Sequence, residues 1–308
     1  LSALLLPMMV AAGHDRARSA GLIASAGIIA PVIPPSIGFV IFGVAGNVSI
    51  SKLFMAGIVP GIMLGASLWI TWWWLARREV VQVPPRKNIR EIGVAMREAT
   101  WALVMPLIVV FGLKFGVFTP TEAAVVAAVY ALLISTFVYR ELSLKDLYPL
   151  FVSSAKTSAV VMFLVAAAMV SAWLITVANL PAQLIEILQP MLDSPRLLMF
   201  TIMVIIIVIG TALDMTPTIL LLTPVLMPVV KAAGIDPVYF GVLFIINCAI
   251  GLITPPVGTV LNAVAGVGKI SMDEVTRGVM PFMVAQFTIM FAMVLFPALV
   301  MVPARWFY

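Results

Sequence analysis

The sequence has one cysteine and one histidine, Cys248 and His14, and little charge: 18 Lys and Arg and 13 Asp and Glu among 308 residues. Each scarcity excludes something. A single cysteine cannot build an internal disulfide framework or a thiolate cluster for zinc or iron–sulfur. A single histidine has no second histidine for a catalytic dyad or a metal cluster, and His14 reads as a solvated loop residue. Charged residues make up 10% of the chain and hydrophobic residues 63%, against roughly 25% and 45–50% in soluble domains. Such a chain cannot cover a soluble surface, which excludes a soluble enzyme, a nucleic-acid-binding protein and a disordered chain. Mean hydropathy is +1.18 and the isoelectric point about 9.6. The basic residues fall between apolar runs, so their excess records topology rather than a nucleic-acid patch. Most of the solvent for this protein is lipid.

A membrane-crossing helix needs about 20 apolar residues. Candidate spans are 19–47, interrupted at Pro31, Pro34 and Pro35; 53–76, ending in Trp72, Trp73 and Trp74; 100–116; 119–139; 157–178; 195–233, broken near Gly210 to Pro217; 237–268, interrupted at Gly251 to Gly258; and 278–302. Residues 180–193 are too short to cross and read as a surface helix. Two charged, amphipathic stretches, 86–99 and 142–156, read as separate interfacial helices, or as rigid arms bracing a moving domain. The densest basic stretch, 77–97, holds Arg77, Arg78, Arg86, Lys87, Arg90 and Arg97 and is placed in the cytoplasm. Carrying that parity along the chain, with 195–233 as a hairpin, puts 13 Lys and Arg inside and 5 outside, and the C-terminus on the far side. The chain opens at Leu1 inside an apolar run with no basic start and no small-residue cleavage site, unlike a signal peptide. It reads as beginning inside a membrane domain.

The most informative feature is a repeat. At an offset of 221 residues Pro7 meets Pro228, Gly13 meets Gly234, and Asp15 meets Asp236; Pro34 and Pro35 meet Pro255 and Pro256, Gly57 meets Gly278, and Pro60 meets Pro281. By the charge parity the copies cross in opposite senses, an inverted-topology repeat of the kind found in secondary transporters. The paired prolines of IPPS (33–36) and TPPV (254–257) unwind a helix, because proline lacks the backbone N–H and clashes with the preceding turn. Backbone freed in this way must be buried in protein or line a wet cavity. Free carbonyls suit a desolvated cation, and half-helix N-termini suit a carboxylate. Single prolines such as Pro60, Pro106 and Pro297 read as kinks. Asp214 lies deep in an uncharged run, where a charge costs at least about 2.5–3.5 kcal/mol. It is placed at the hairpin tip as the cap of the returning helix, compatible with a second role beside an ion. Glu122 reads as a helix-start carboxylate.

The string GTALDMTPTILLLTPVLMPVVKAAGIDPVYFGVLFIINCAIGLITPPVGTVL (210–261), with SAGIIAPVIPPSI (25–37), resembles the large membrane subunit of TRAP transporters, the DctM family, over essentially the whole chain. The resemblance implies an all-α polytopic membrane protein built from inverted repeats with re-entrant hairpins and broken helices, similar to elevator-type ion-coupled carriers. It divides the chain into 1–47, the end of an inner hairpin plus a broken helix; 48–178, scaffold and arm helices; 179–268, surface helix, outer hairpin and second broken helix; and 269–308, a scaffold helix. The tip of the first hairpin would precede Leu1. The implied activity is no enzyme's: Na⁺-coupled import of carboxylate-bearing solutes (dicarboxylates, sialic acids or sugar acids) across a bacterial or archaeal inner membrane, with no cofactor beyond Na⁺. The implied partners are a soluble periplasmic binding protein (DctP-like) and a small four-helix membrane subunit (DctQ-like). Ion contacts carry over to Ala30, Ile33 and Pro35 in the first break, and to Gly251, Thr254 and Pro256 in the second, with Gly210, Thr211 and Asp214 at the hairpin tip. Solute contacts carry over to Pro34, Ser36, Thr216, Asn247, Pro255 and Gly258. Where the family has Gly before its first proline, this chain has Ala30. The alternative is a carrier of similar architecture that works alone as a Na⁺/dicarboxylate symporter. An intramembrane enzyme would need a catalytic pair at membrane depth, and only Asp214 lies deep.

Overall fold

The structure, a computed structural model, describes residues 2–77, 79, 81 and 87–306; of the basic stretch expected in the cytoplasm, Arg78 and Arg86 lie outside the described residues. In chain order the helices are α1 (Ser2–Ala11), α2 (Arg16–Gly27), α3 (Ile37–Gly46), α4 (Ile50–Ala76), α5 (Ile89–Lys114), α6 (Pro120–Leu133, prolonged by a π-helical turn at Ile134–Val138), α7 (Leu144–Val177), α8 (Leu180–Leu192), α9 (Pro195–Gly210), α10 (Met215–Ala232), α11 (Pro237–Gly251), α12 (Thr259–Gly268), α13 (Met272–Leu295) and α14 (Ala298–Arg305). Six helical stretches among the described residues are long and apolar enough to cross a bilayer, so this is an all-α, multi-pass membrane protein. The chain forms two compact units, residues 1–84 with 175–308, and residues 85–174.

Local chemistry explains where the helices of the first unit start and stop. Asp15 accepts from the backbone N–H of Arg18 at the start of α2, and Asp236, its repeat partner, accepts from those of Val238 and Tyr239 at the start of α11. Ser36, Ser49 and Ser271 cap α3, α4 and α13 in the same way. Gly13 and Gly234, also repeat partners, turn the chain at φ +99° and +66°, a conformation that glycine adopts at no steric cost. Both expected interruptions are present. Residues 28–36 separate α2 from α3, residues 252–258 separate α11 from α12, and both Pro–Pro bonds are cis. Single prolines at 60, 106, 224, 228 and 281 sit inside continuous helices.

Three elements differ from the sequence reading. The stretches at 86–99 and 142–156 are not separate interfacial helices. Residues 89–99 and 144–156 are the first turns of α5 and α7, which run unbroken into the membrane segments. A helix continues until something interrupts its hydrogen-bond ladder, and a change from polar to apolar composition does not. Pro297, read as a kink, ends α13 instead: the helix stops at Leu295 and α14 begins at Ala298. Proline at 297 has no N–H to offer the carbonyl of Met293. The phenol of Tyr239 donates to that carbonyl from α11, at 2.9 Å, and so satisfies the broken end.

In the first unit α11 is the innermost element, buried at every position from Val238 to Gly251. Phe240 and Phe244 stack at 5.5 Å and meet Phe42 of α3 at 6.0 and 5.8 Å. The repeats exchange contacts. α2 packs on α13 as α11 packs on α4, α1 on α12 as α10 on α3, and α2 on α12 as α11 on α3, the reciprocal pattern of a two-fold relation. The sense of the repeat follows from two of these helix pairs. Arg16 at the start of α2 reaches Gly268 and Lys269 at the end of α12, while Gly27 at the end of α2 faces Val260 near the start of α12. These two half-helices are therefore antiparallel. Gly38 of α3 lies against Ile245 and Phe42 against Gly241, so α3 and α11 are antiparallel too. Neither α2 and α3 nor α11 and α12 fold back to pack side by side; α12 is tied to the start of its own break by Val260 N–H to the carbonyl of Leu252 at 3.0 Å. The two broken helices pass each other in opposite directions.

The second unit, α5 to α7, is mostly exposed along its apolar surface, as suits helices facing lipid. Thr119 and Glu122 form a reciprocal capping box at the start of α6, which bears out the reading of Glu122.

Candidate functional site

The site is assembled from three interruptions in the first unit: the two breaks and the turn between α9 and α10. In the first break, Pro34 and Ser36 are buried while Ala30, Ile33 and Pro35 are exposed. Among the described residues no group donates to the carbonyls of Ala30, Ile33 and Pro35, which leaves their lone pairs to another partner. Ser36 does two jobs: its hydroxyl donates to the carbonyl of Pro31 and accepts from the N–H of Phe39, at 3.2 Å. It thus ties the break to the start of α3. Ala30 adopts no left-handed backbone conformation, so a side chain stands there without backbone strain.

In the second break the N–H of Thr254 bonds to the carbonyl of Gly251 at 3.0 Å, and its hydroxyl donates to the carbonyl of Ile250 at 2.9 Å. Gly258, at φ +38°, turns the chain into α12. Asn262 reaches back to the carbonyl of Val257 at 2.7 Å. Pro256 is exposed and Pro255 half-buried, and among the described residues no group donates to the carbonyl of either.

The turn between α9 and α10 reaches both breaks. Gly210 and Gly251 approach so closely that a Cβ on Gly251 would stand 3.1 Å from the carbonyl oxygen of Gly210. Met215, the first residue of α10, lies against Gly38 at the start of α3. Asp214 stands at the N-cap position of α10 but makes no side-chain cap hydrogen bond, so the expected capping role is corrected. Its carboxylate instead accepts from the hydroxyl of Thr259, the first residue of α12, at 3.5 Å. Thr211 turns its hydroxyl to the carbonyl of Val208 in its own helix, and Thr216 is half-buried.

The structure therefore brings together Gly210, Asp214, Gly251 and Thr254, and places Met215 against the start of the other broken helix. Asn247 stands apart: it is fully buried in α11 and donates to the carbonyl of Met203 in α9 at 2.7 Å, so it faces a neighbouring helix. Sequence reasoning missed Thr259 and Asn262, which hold the second break to the hairpin tip and to itself. The signal for them was a hydroxyl and an amide on the first turn after Gly258. Among the described residues no group of three His, Cys, Asp or Glu side chains is placed to hold a metal ion. The oxygen donors concentrated here are backbone carbonyls and hydroxyls, with one carboxylate at the tip. Carbonyls of this kind replace the hydration shell of a small hard cation, and the N-termini of α3, α10 and α12 present unpaired N–H groups to an anion.

Residues 1–299 match the family described as the tripartite ATP-independent periplasmic transporter, DctM component. The chain is 54% identical over 306 residues to the 2,3-diketo-L-gulonate TRAP transporter large permease protein YiaN of Escherichia coli, covering 99% of this chain and 72% of that protein. It is 37% identical over 277 residues to the sialic acid TRAP transporter large permease protein SiaM of Vibrio cholerae, covering 90% and 65%. It is 33% identical over 298 residues to the C4-dicarboxylate TRAP transporter large permease protein DctM of Pseudomonas aeruginosa, covering 97% and 70%. A multi-pass helical chain with two antiparallel broken helices and a hairpin between them, matched along nearly its whole length, belongs to the DctM family of TRAP transporter large permeases.

Proposed function

We propose that the chain is the solute-translocating permease of a Na⁺-coupled importer of carboxylate-bearing solutes, working with a soluble binding protein and a small membrane subunit in a bacterial inner membrane. The observation that carries this reading is the meeting of two antiparallel helix breaks at the tip of the α9–α10 hairpin, with carbonyls at Ala30, Ile33, Pro35 and Pro256 that no described residue engages. Ala30, Ile33 and Pro35 would hold one Na⁺; Gly251, Thr254 and Pro256, with Gly210, Thr211 and Asp214, would hold another. The solute carboxylate would lie between the N-termini of α3 and α12, beside Pro34, Ser36, Thr216, Pro255 and Gly258. The relative that shares 54% identity is named for 2,3-diketo-L-gulonate, which puts a sugar acid first among solutes to try. Both breaks and the hairpin lie in one compact unit, and 1–47 with 179–268 would carry the cargo as a body, the transport region that the resemblance implies.

The test is uptake by the full-length permease with its partner components in proteoliposomes. Accumulation of the solute should follow an inward Na⁺ gradient and stop when Na⁺ is equal on both sides. Accumulation that follows a proton gradient and ignores Na⁺ overturns the coupling. Uptake of free solute at the same rate without the binding protein would make the chain a stand-alone symporter.

A further inference from the structure

The turn between α1 and α2 carries an ion cluster that the transport site does not use. His14 Nδ1 stands 2.8 Å from one carboxylate oxygen of Glu79, and Arg18 donates to the other at 3.0 Å. The Glu79 side chain is only 10% exposed and that of His14 18%, so water screens this pair less than an ordinary surface pair. The imidazole lies 5.0 Å from the ring of Trp72 on α4, and Trp72 stacks on Phe282 of α13. The position of Glu79 gives the cluster its leverage. It follows the end of α4 at Ala76, where the chain leaves the unit that holds both breaks for the unit that begins at residue 85.

We propose that His14, Glu79 and Arg18 form a proton-binding clasp that grips the root of the connector between the two units and slows transport when its histidine is protonated. A neutral imidazole offers Glu79 one hydrogen bond, already strengthened by the charge of the carboxylate. An imidazolium adds the attraction of a full opposite charge across the same contact. The clasp therefore tightens as pH falls through the range where imidazoles change charge, roughly 8 to 5, and loosens as pH rises. The charged groups around it are otherwise engaged. Asp15 accepts from the backbone N–H of Arg18. Arg16 donates to the carbonyls of Gly268 and Lys269 at the end of α12. Arg77 lies over the ring of Trp73, and Arg277 pairs with Asp273 on α13.

Only the uptake readout of this proposal rests on the transport function above. A nitroxide at Val81→Cys, in full-length protein with Cys248→Ala, reports the freedom of the connector root directly. Its mobility should fall as pH is lowered from 8 to 5.5. His14→Gln, which keeps a donor but cannot be protonated, should abolish that response while leaving uptake at pH 8 unchanged. Glu79→Gln should leave the label mobile at every pH. In proteoliposomes with equal pH on both sides and saturating Na⁺, wild-type uptake should drop by about twofold or more across the same range, and His14→Gln should flatten the profile. A label response identical in wild type and His14→Gln overturns the proton site. A label response without any change in uptake overturns its regulatory role. Failure of uptake under all conditions, with the label response intact, counts against the transport reading and not against the clasp.

Discussion

Single residues in this protein are chosen for what the backbone around them lacks. Tyr239 is the clearest case. Its hydroxyl serves Met293, whose carbonyl lost its helical donor to Pro297. Tyr239→Phe should therefore cost about 1–3 kcal/mol, the penalty of a buried carbonyl left unpaired. The expected outcome is a lower unfolding midpoint in detergent, and Pro297→Ala in the same chain should restore part of the loss. An undisturbed midpoint would show that lipid-side relaxation satisfies the carbonyl. The glycines at 21 and 278 work by absence in another way. A Cβ on either would overlap the backbone of the facing helix, so α2 and α13 meet backbone to backbone, the close approach small residues permit in membranes. Near the same contact Gln286 donates to the carbonyl of Ser25 at 3.1 Å, a polar tie beside the first break. Glu122 was legible as a helix-start carboxylate, because that role is local; Asp15 and Asp236 were legible only as matched repeat positions, and the structure added their capping. The partner of Asp214 was not legible, because Thr259 lies 45 residues away.

At the scale of elements, the half-helices are the functional unit. α3 and α12 have ten residues each, too short to cross a bilayer, and exist because paired prolines end the helices before them. Replacing Pro255 and Pro256 with alanine should let α11 run on toward α12 and withdraw the exposed carbonyls of the second break. Uptake should fall by at least about tenfold, equivalent to 1.4 kcal/mol in the barrier, while the protein still assembles as a single species on size exclusion. Equal loss of assembly and uptake would mean that the break serves folding alone. The proline pairs made the breaks readable from the chain. The arms were read less well, since composition marks where lipid ends and not where a helix ends; α5 and α7 carry straight through that boundary.

For the whole molecule, the decisive feature is that the repeat units run in opposite directions and exchange contacts. Lys52 and Asp273 are exposed repeat partners on the first turns of α4 and α13. Single cysteines at these positions should react with a membrane-impermeant maleimide from opposite faces, Lys52→Cys in right-side-out vesicles and Asp273→Cys in inside-out ones. Cys248 is buried and adds little background. Labelling of both from one face would refute the inverted arrangement.

The chain by itself determined the solvent, the helical class, the sites of both breaks and the existence of the repeat, because apolar run length, paired prolines and matched glycines act within one turn or one span. Only the tertiary structure decided which broken half-helix lies beside which, that Asp214 reaches Thr259 rather than capping its own helix, and that Glu79 is held by His14 and Arg18. Those partners lie 45 to 65 residues apart in sequence. Periodicity and propensity carry no information across such distances; packing of the antiparallel repeats brings them within reach.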